Sequence, residues 1–171
     1  MKKKISLILM LLVFLITLVA FPKKEDKLTL KDDSKVLAKV NGANITQQKV
    51  DTLRKSSIFS EKEMIEKLIN DELLLIKAKD LKIKVTDKEA KAEAEKNREL
   101  IKRADDIEDV KATIDDIILR LGVTEEEYWD KYAIQSYKRL ITIGKTRQSL
   151  GADVDKALKQ LREEVKIEYY N

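Results

Sequence analysis

The chain has 171 residues, of which 39% are charged and 5% aromatic, with four Gly and one Pro. This composition is typical of helices with solvated outer faces and disfavours an all-β fold. It has no Cys and no His, which excludes disulfides, thiolate chemistry, Cys/His zinc sites and catalysis by a Ser-His-Asp triad. The net charge of +4 comes from the first 24 residues, because the remainder holds 30 cations and 31 acids. A nucleic-acid-binding footprint is therefore not visible in the folded part.

The N-terminus has the pattern of an export signal. Lys2, Lys3 and Lys4 precede 17 uncharged, almost wholly apolar residues from Ile5 to Phe21, a length that just reaches the lower limit for crossing a bilayer. Cleavage after Ala20 would place Leu18 where a small residue is preferred.

We therefore predict a signal anchor over residues 1–22 and a polar tether over 23–35, followed by a folded domain over 36–171. The protein would sit in the cell membrane as a single-pass protein, through Ile5 to Phe21, with its domain extracytoplasmic. A cleaved signal peptide, which would give a secreted protein, is the alternative.

The folded part begins with a strand pattern over Val36 to Val40, followed by Asn41-Gly42, a strong hairpin dipeptide. Because Ile45-Thr46 leads straight into helical spacing, we predict that no local partner strand follows. Val165 to Tyr169 alternates in the same strand-like way. We predict that these two segments pair as a small two-stranded antiparallel sheet that joins the ends of a mainly α domain.

Four N-caps mark helix starts. Ser60 with Glu63, Thr86 with Glu89 and Thr124 with Glu127 are capping boxes, whereas Thr46 is followed three residues later by Lys49. The helix after Ser60 is apolar over about half its circumference, with Leu74 outside the stripe, which predicts a central helix with neighbours on more than one side.

The later helices differ in their predicted burial. The segment after Thr86 offers only alanines before Leu100, which predicts an exposed, charged arm. "DVKATIDDIILRLG" predicts an amphipathic helix that ends at Gly122. An aromatic-rich helix follows Thr124, and a last helix runs from about Val154 to Glu164.

The sequence offers no catalytic, cofactor-binding or metal-ligating constellation, since adjacent carboxylates on a helix point about 100° apart. The aromatic residues Tyr128, Trp129 and Tyr132 fit either core packing or a groove for apolar peptide segments. Ile58 and Phe59 pose the same choice, between a hydrophobic staple onto the next helix and an exposed contact. These five residues are the candidate client-binding residues.

The order of several motifs resembles a known family. "VLAKVNGANITQQKVDTL", "MIEKLINDELLLIKAKDLKIKVTDKEA", "LGVTEEEYWDKYAIQSYKRLI" and the closing "VKIEYY" together resemble the N-terminal domain of the SurA and PrsA type of extracytoplasmic chaperone-foldases. The resemblance covers about Val36 to Tyr170. It implies a helical chaperone domain whose first strand meets a late strand.

Full members of this family usually also carry a parvulin peptidyl-prolyl isomerase domain with active-site histidines. The chain has no room for that domain and no histidine, so isomerase activity is not implied and we do not expect an enzyme. Lys49 stands where the family often has an acid, and the lipobox Cys of PrsA lipoproteins is absent.

We therefore expect an ATP-independent chaperone or holdase, tethered to the membrane, that binds unfolded or partly folded exported polypeptides and needs no cofactor. A dedicated single-partner binding, immunity or assembly factor on the same scaffold is the alternative. The sequence leaves the client and the oligomeric state open.

Overall fold

The computed structural model describes residues 34–55, 57–104 and 107–170. The predicted signal anchor and nearly all of the tether lie outside these residues. The described chain is mainly helical, and none of its helices is long and apolar enough to cross a bilayer. Its elements in order are β1 (Val36–Val40), β2 (Ala43–Thr46), α1 (Gln47–Arg54), α2 (Glu61–Asp80), α3 (Asp87–Arg103), α4 (Glu108–Leu121), α5 (Glu125–Glu127), a π-turn (Tyr128–Tyr132), α6 (Ala133–Leu150), a 3₁₀ turn (Gly151–Asp153), α7 (Val154–Glu164) and β3 (Ile167–Tyr169).

These elements divide into two compact units. In the described part, unit 1 consists of Lys55, Ser57 and Val85–Leu140. Unit 2 consists of residues 34–54, Ile58–Lys84 and 141–170. It is therefore built from segments that are separated in the sequence.

The sheet of unit 2 has three antiparallel strands in the order β2-β1-β3. Our prediction that Asn41-Gly42 opens no local hairpin is wrong, because β2 follows directly and pairs Val40 with Ala43. Asn41 and Gly42 have φ of 46° and 86°, the two positive values that a type I′ hairpin turn requires. A register shift between Val36 and Ala38 sets the far end of the hairpin at Thr46.

The predicted pairing of the two ends of the domain is confirmed over a shorter span. β3 lies antiparallel to β1, with Ala38 opposite Tyr169 and Val40 opposite Ile167. Two further backbone bonds extend this ladder, since Asn41 N donates to Lys166 O at 3.0 Å and Tyr170 N to Leu37 O at 2.9 Å. The strand over residues 36–40 therefore has partners on both sides.

α2 is the central helix of unit 2, as its wide apolar stripe predicted. It contacts α1, β1, β2 and α7, and the buried residues Met64, Leu68 and Leu73 lie along it. Leu74, which we placed outside the stripe, is 0% exposed. The apolar stripe that we predicted for α2 was too narrow, because neighbouring elements cover more of the circumference of this helix.

Polar side chains of α2 bind other elements of unit 2. Arg162 of α7 donates to Glu66 and Asn70, and the Tyr169 hydroxyl donates to Glu66 at 3.2 Å. One turn further on, the carboxylate of Asp71 is buried. These bonds join α2 to both α7 and β3.

In unit 1 the prediction of an exposed arm for α3 holds for its charged side chains, most of which are exposed, but one face of the helix is packed. Ala90, Ala94, Asn97 and Ile101 form a buried stripe at spacings of four, three and four residues, and α3 contacts the π-turn. Small alanine side chains allow close approach of a neighbour even though each carries little apolar area. α4 buries Val110, Thr113, Ile114, Ile117 and Leu121.

The predicted helix boundaries hold where side chains cap the backbone. Ser60 and Thr124 form full capping boxes with Glu63 and Glu127. The hydroxyls of Thr86 and Thr46 accept bonds from Glu89 N and Lys49 N. Gly122 ends α4 in the left-handed conformation with φ of 64°, as its sequence position predicted.

Candidate functional site

The aromatic candidates Tyr128, Trp129 and Tyr132 all lie on the π-turn of unit 1, between α5 and α6. The turn widens the helix locally, since Ala133 N donates to Tyr128 O five residues back. Single π-helical turns inside α-helices are frequent at functional sites. The π-turn therefore makes this face of unit 1 a candidate site.

Tyr128 and Trp129 point into unit 1, as the core-packing interpretation expects. Both are at least nine-tenths buried, and their rings meet edge to face with centroids 5.3 Å apart, a favourable aromatic geometry. Burial raises the pKa of Tyr128 to about 12, so the phenol stays neutral at every physiological pH. Neither ring forms an open aromatic groove.

Behind these rings lies a small polar interior. Burial raises the pKa of Tyr137 above its ordinary value, and the neighbouring Tyr128 and Glu93 raise it further. Among the described residues the Tyr137 hydroxyl has no hydrogen-bond partner. Asn97 of the buried α3 stripe donates to Glu93 O at 2.8 Å and Glu93 Oε1 at 3.0 Å. Tyr137 and Asn97 are buried, whereas the Glu93 side chain is 39% exposed and lies 3.5 Å from Lys96 Nζ.

Trp129 nevertheless lines an open pocket, which we call the Trp129 pocket. Its volume is about 230 Å³, and its walls come from α3, α4 and the residues around the π-turn. The lining residues are Arg98, Ile101, Lys102, Lys111, Ile114, Asp115, Glu125 and Trp129.

Arg98 organises one side of the Trp129 pocket. Its guanidinium lies 5.8 Å from the centroid of the Trp129 ring, within cation–π range. Its Nη2 donates to Glu125 Oε1 at 3.1 Å. The pocket thus combines an apolar lining with an ion pair between Arg98 of α3 and Glu125 of α5.

Tyr132 lies instead on a second, larger pocket of unit 1, with a volume of about 470 Å³. Lys131 Nζ is 5.8 Å from the Tyr132 ring centroid. The other lining residues are Val123, Thr124, Glu126, Glu127 and Asp130. Glu127 is held in the capping box of Thr124, and Asp130 lies 3.9 Å from Lys91. The three aromatic candidates are therefore divided between an interior and two separate surfaces.

The remaining candidates, Ile58 and Phe59, belong to unit 2, just before α2. Ile58 is 97% exposed, whereas Phe59 is 36% exposed and stands next to the cap residue Ser60. Ile58 is thus not part of a hydrophobic staple. It is an exposed apolar side chain on the surface of unit 2.

The charged and aliphatic walls of the Trp129 pocket were missed in the sequence. Arg98 and Lys102 are four residues apart on α3 with Ile101 beside them, which is a detectable helical pattern. The pattern could be interpreted only with the knowledge that α3 packs against the π-turn. In the described part of the chain no group of three or more acidic side chains is arranged to hold a metal ion. What the pocket offers chemically is apolar contact together with ion pairing.

Comparison with known proteins does not extend this description. No known protein family, no curated protein and no solved structure matches the chain.

Proposed function

We propose that the protein is a membrane-tethered, extracytoplasmic, ATP-independent chaperone or holdase that binds apolar segments of unfolded exported polypeptides. The Trp129 pocket is the observation that carries this proposal. Its aromatic and aliphatic lining opens to solvent and is flanked by charges of both signs. Apolar contact of this kind is non-directional and tolerates many sequences, as a holdase needs.

Two features of the sequence support the same proposal. The apolar run from Ile5 to Phe21 after three lysines is typical of an exported, anchored protein. The family resemblance over Val36 to Tyr170 implies a chaperone domain, and the antiparallel contact of β1 with β3 agrees with its expected pairing of first and late strands.

The test uses the full chain in nanodiscs of neutral lipid, with empty nanodiscs as the blank. We expect an excess of protein to slow light-scattering aggregation of several unrelated unfolded clients. Trp129→Ala should weaken the effect and Trp129→Phe should retain most of it, because Phe keeps an aromatic lining. Leu81→Ser, at an exposed position in unit 2, is the matched control. Failure of the wild-type protein to slow aggregation of any client would refute the proposal.

A dedicated binding protein for a single partner is a second candidate, with Ile58 and Phe59 as its contact residues. Ile58 is 97% exposed and Phe59, next to it in the chain, is 36% exposed, so two consecutive apolar side chains reach the surface where one partner would bind. In-cell crosslinking through a photoreactive residue at position 58 distinguishes the two functions. Stoichiometric capture of one protein supports the dedicated function, whereas a broad set of exported polypeptides supports the holdase.

A further inference from the structure

The residues that line the Trp129 pocket include one more cation than acids. Three of its lining residues are cations, Arg98, Lys102 and Lys111, and two are acids, Asp115 and Glu125. Glu125 is already bound by Arg98 at 3.1 Å. The two lysines lie on different walls, Lys102 on α3 and Lys111 on α4.

Lys102 is available to a ligand at little cost. Its Nζ lies 3.3 Å from Oε1 of Glu99, its ion-pair partner, and both side chains are about half exposed. Exposed pairs of this kind contribute at most about 1 kcal/mol. A carboxylate brought close to the pocket can therefore replace Glu99 without a large loss.

The size of the pocket limits what enters it. About 230 Å³ is below the roughly 300–1,000 Å³ of pockets for drug-sized ligands and cofactors. Ile101, Ile114 and Trp129 are each buried to more than nine-tenths but still line the cavity. This lining matches one large apolar side chain rather than an extended ligand.

We propose that the Trp129 pocket takes one apolar side chain of an extended polypeptide that carries a carboxylate at the adjacent residue, which pairs with Lys102 and Lys111. This inference rests on the proposed function and names its client class, apolar residues flanked by acidic ones. Rim charges of this kind act on choice of partner and on association rate more than on total affinity.

The test measures binding of three fluorescent nine-residue peptides to the full chain in nanodiscs of neutral lipid. Each peptide has a central leucine, followed by two glutamates, two alanines or two lysines. We expect the glutamate peptide to bind about two- to fivefold more tightly than the alanine peptide, and the lysine peptide more weakly than both, because each exposed ion pair is worth under about 1 kcal/mol. The preference should shrink at high salt.

The double variant K102E/K111E should reverse this order. K88E/K96E makes the same change of charge at exposed positions of α3 that do not line the pocket, and it should keep the wild-type order. Circular dichroism confirms that both variants are folded. An order of affinities that is the same in wild type and a folded K102E/K111E variant would overturn the inference.

The two proposals fail in different ways. If the wild-type protein slows client aggregation but binds the three peptides equally, the acidic preference is wrong and the holdase stands. If the peptides bind in the expected order but aggregation of every client proceeds unchanged, the pocket is a peptide site and the holdase function is wrong.

Discussion

Arg162 on α7 donates through Nη2 to Glu66 Oε2 at 2.8 Å and to Asn70 Oδ1 at 2.7 Å. The partners are more than ninety residues apart in sequence. One guanidinium thus joins the last helix of unit 2 to its central helix, and the Tyr169 hydroxyl bonded to Glu66 brings β3 to the same place.

Arg162→Ala should lower the free energy of unfolding by about 1 kcal/mol. The value is modest because Arg162 and Glu66 are each about one-third exposed, and water screens their attraction. Lys159→Ala, at an exposed position on the same helix, should change stability by less than about 0.5 kcal/mol. Urea unfolding followed by circular dichroism measures both, and equal losses would contradict a specific role for Arg162.

Asp71→Ala should be much more damaging, by about 3 kcal/mol. Asp71 is only 1% exposed, and it accepts from Lys67 at 2.7 Å and faces Arg147 at 3.7 Å. Its removal leaves the charge of Lys67 enclosed without this partner. Glu95→Ala, which breaks the exposed pair with Lys91, is the control and should be nearly neutral in the same denaturation assay.

Two glycines on helices should respond to alanine in opposite directions. Gly122 has φ of 64°, so Gly122→Ala forces a side chain into the left-handed region and should cost about 1 kcal/mol. Gly144 lies inside α6, where an added Cβ would meet no atom within 4 Å beyond the neighbouring backbone of its own helix, so Gly144→Ala should gain about 0.5–1 kcal/mol. Thermal midpoints test the pair, and a stabilising Gly122→Ala would contradict the assigned cap.

Acid should weaken the helix caps. Hydrogen bonds from the side chain and backbone of Ser60 hold the pKa of Glu63 below its usual value, and those from the backbone and side chain of Thr124 do the same for Glu127. A lowered folded-state pKa gives stability that is present above the unfolded value of about 4.3 and is lost as the pH falls through the folded value.

The double variant E63Q/E127Q should therefore lose less stability than wild type on acidification below about pH 4.3. Glutamine can still complete a capping box, but it does not titrate. Urea midpoints measured from neutral pH to pH 2 test this. Parallel curves for wild type and variant would show that these two carboxylates do not contribute to acid sensitivity.

The two outer strands of the sheet should contribute unequally to the stability of unit 2. Ile45 of β2 is 0% exposed, whereas Ile167 of β3 is only half-buried. Ile45→Ala should cost about 3 kcal/mol through lost burial and an unfilled cavity, and Ile167→Ala about 1 kcal/mol. A chemical denaturation series on both variants decides the order, and a larger loss at Ile167 would contradict it.

Local rules predicted much of the fold correctly. Hydroxyl caps and Gly122 placed helix ends, and α7 occupies Val154–Glu164 as its pattern indicated. β2 escaped prediction because Ile45 and Thr46 are buried side by side, which breaks the alternation that marks a strand. The burial of the alanine stripe of α3 was not predicted, because burial of small residues depends on a neighbouring element that no local pattern reveals.

The candidate site was less predictable than the fold. The aromatic residues on the π-turn are visible in the sequence, but the inward direction of Tyr128 follows from a turn that no spacing rule anticipated. The cations around Trp129 come from two helices whose packing is tertiary. The sequence therefore showed where the aromatic residues cluster in the chain but not which of them are accessible.

β1 pairs with β2, which is adjacent to it in sequence, and with β3, which is distant in sequence. This arrangement has a consequence for biosynthesis. β2 is adjacent in the chain, so the hairpin can close within about 1–10 μs of its release. β3 begins at Ile167, far downstream of Val40, and at translation speeds of about 5–20 residues per second it is made roughly 6–25 s later. Through that interval one edge of β1 is open to pairing with other nascent chains.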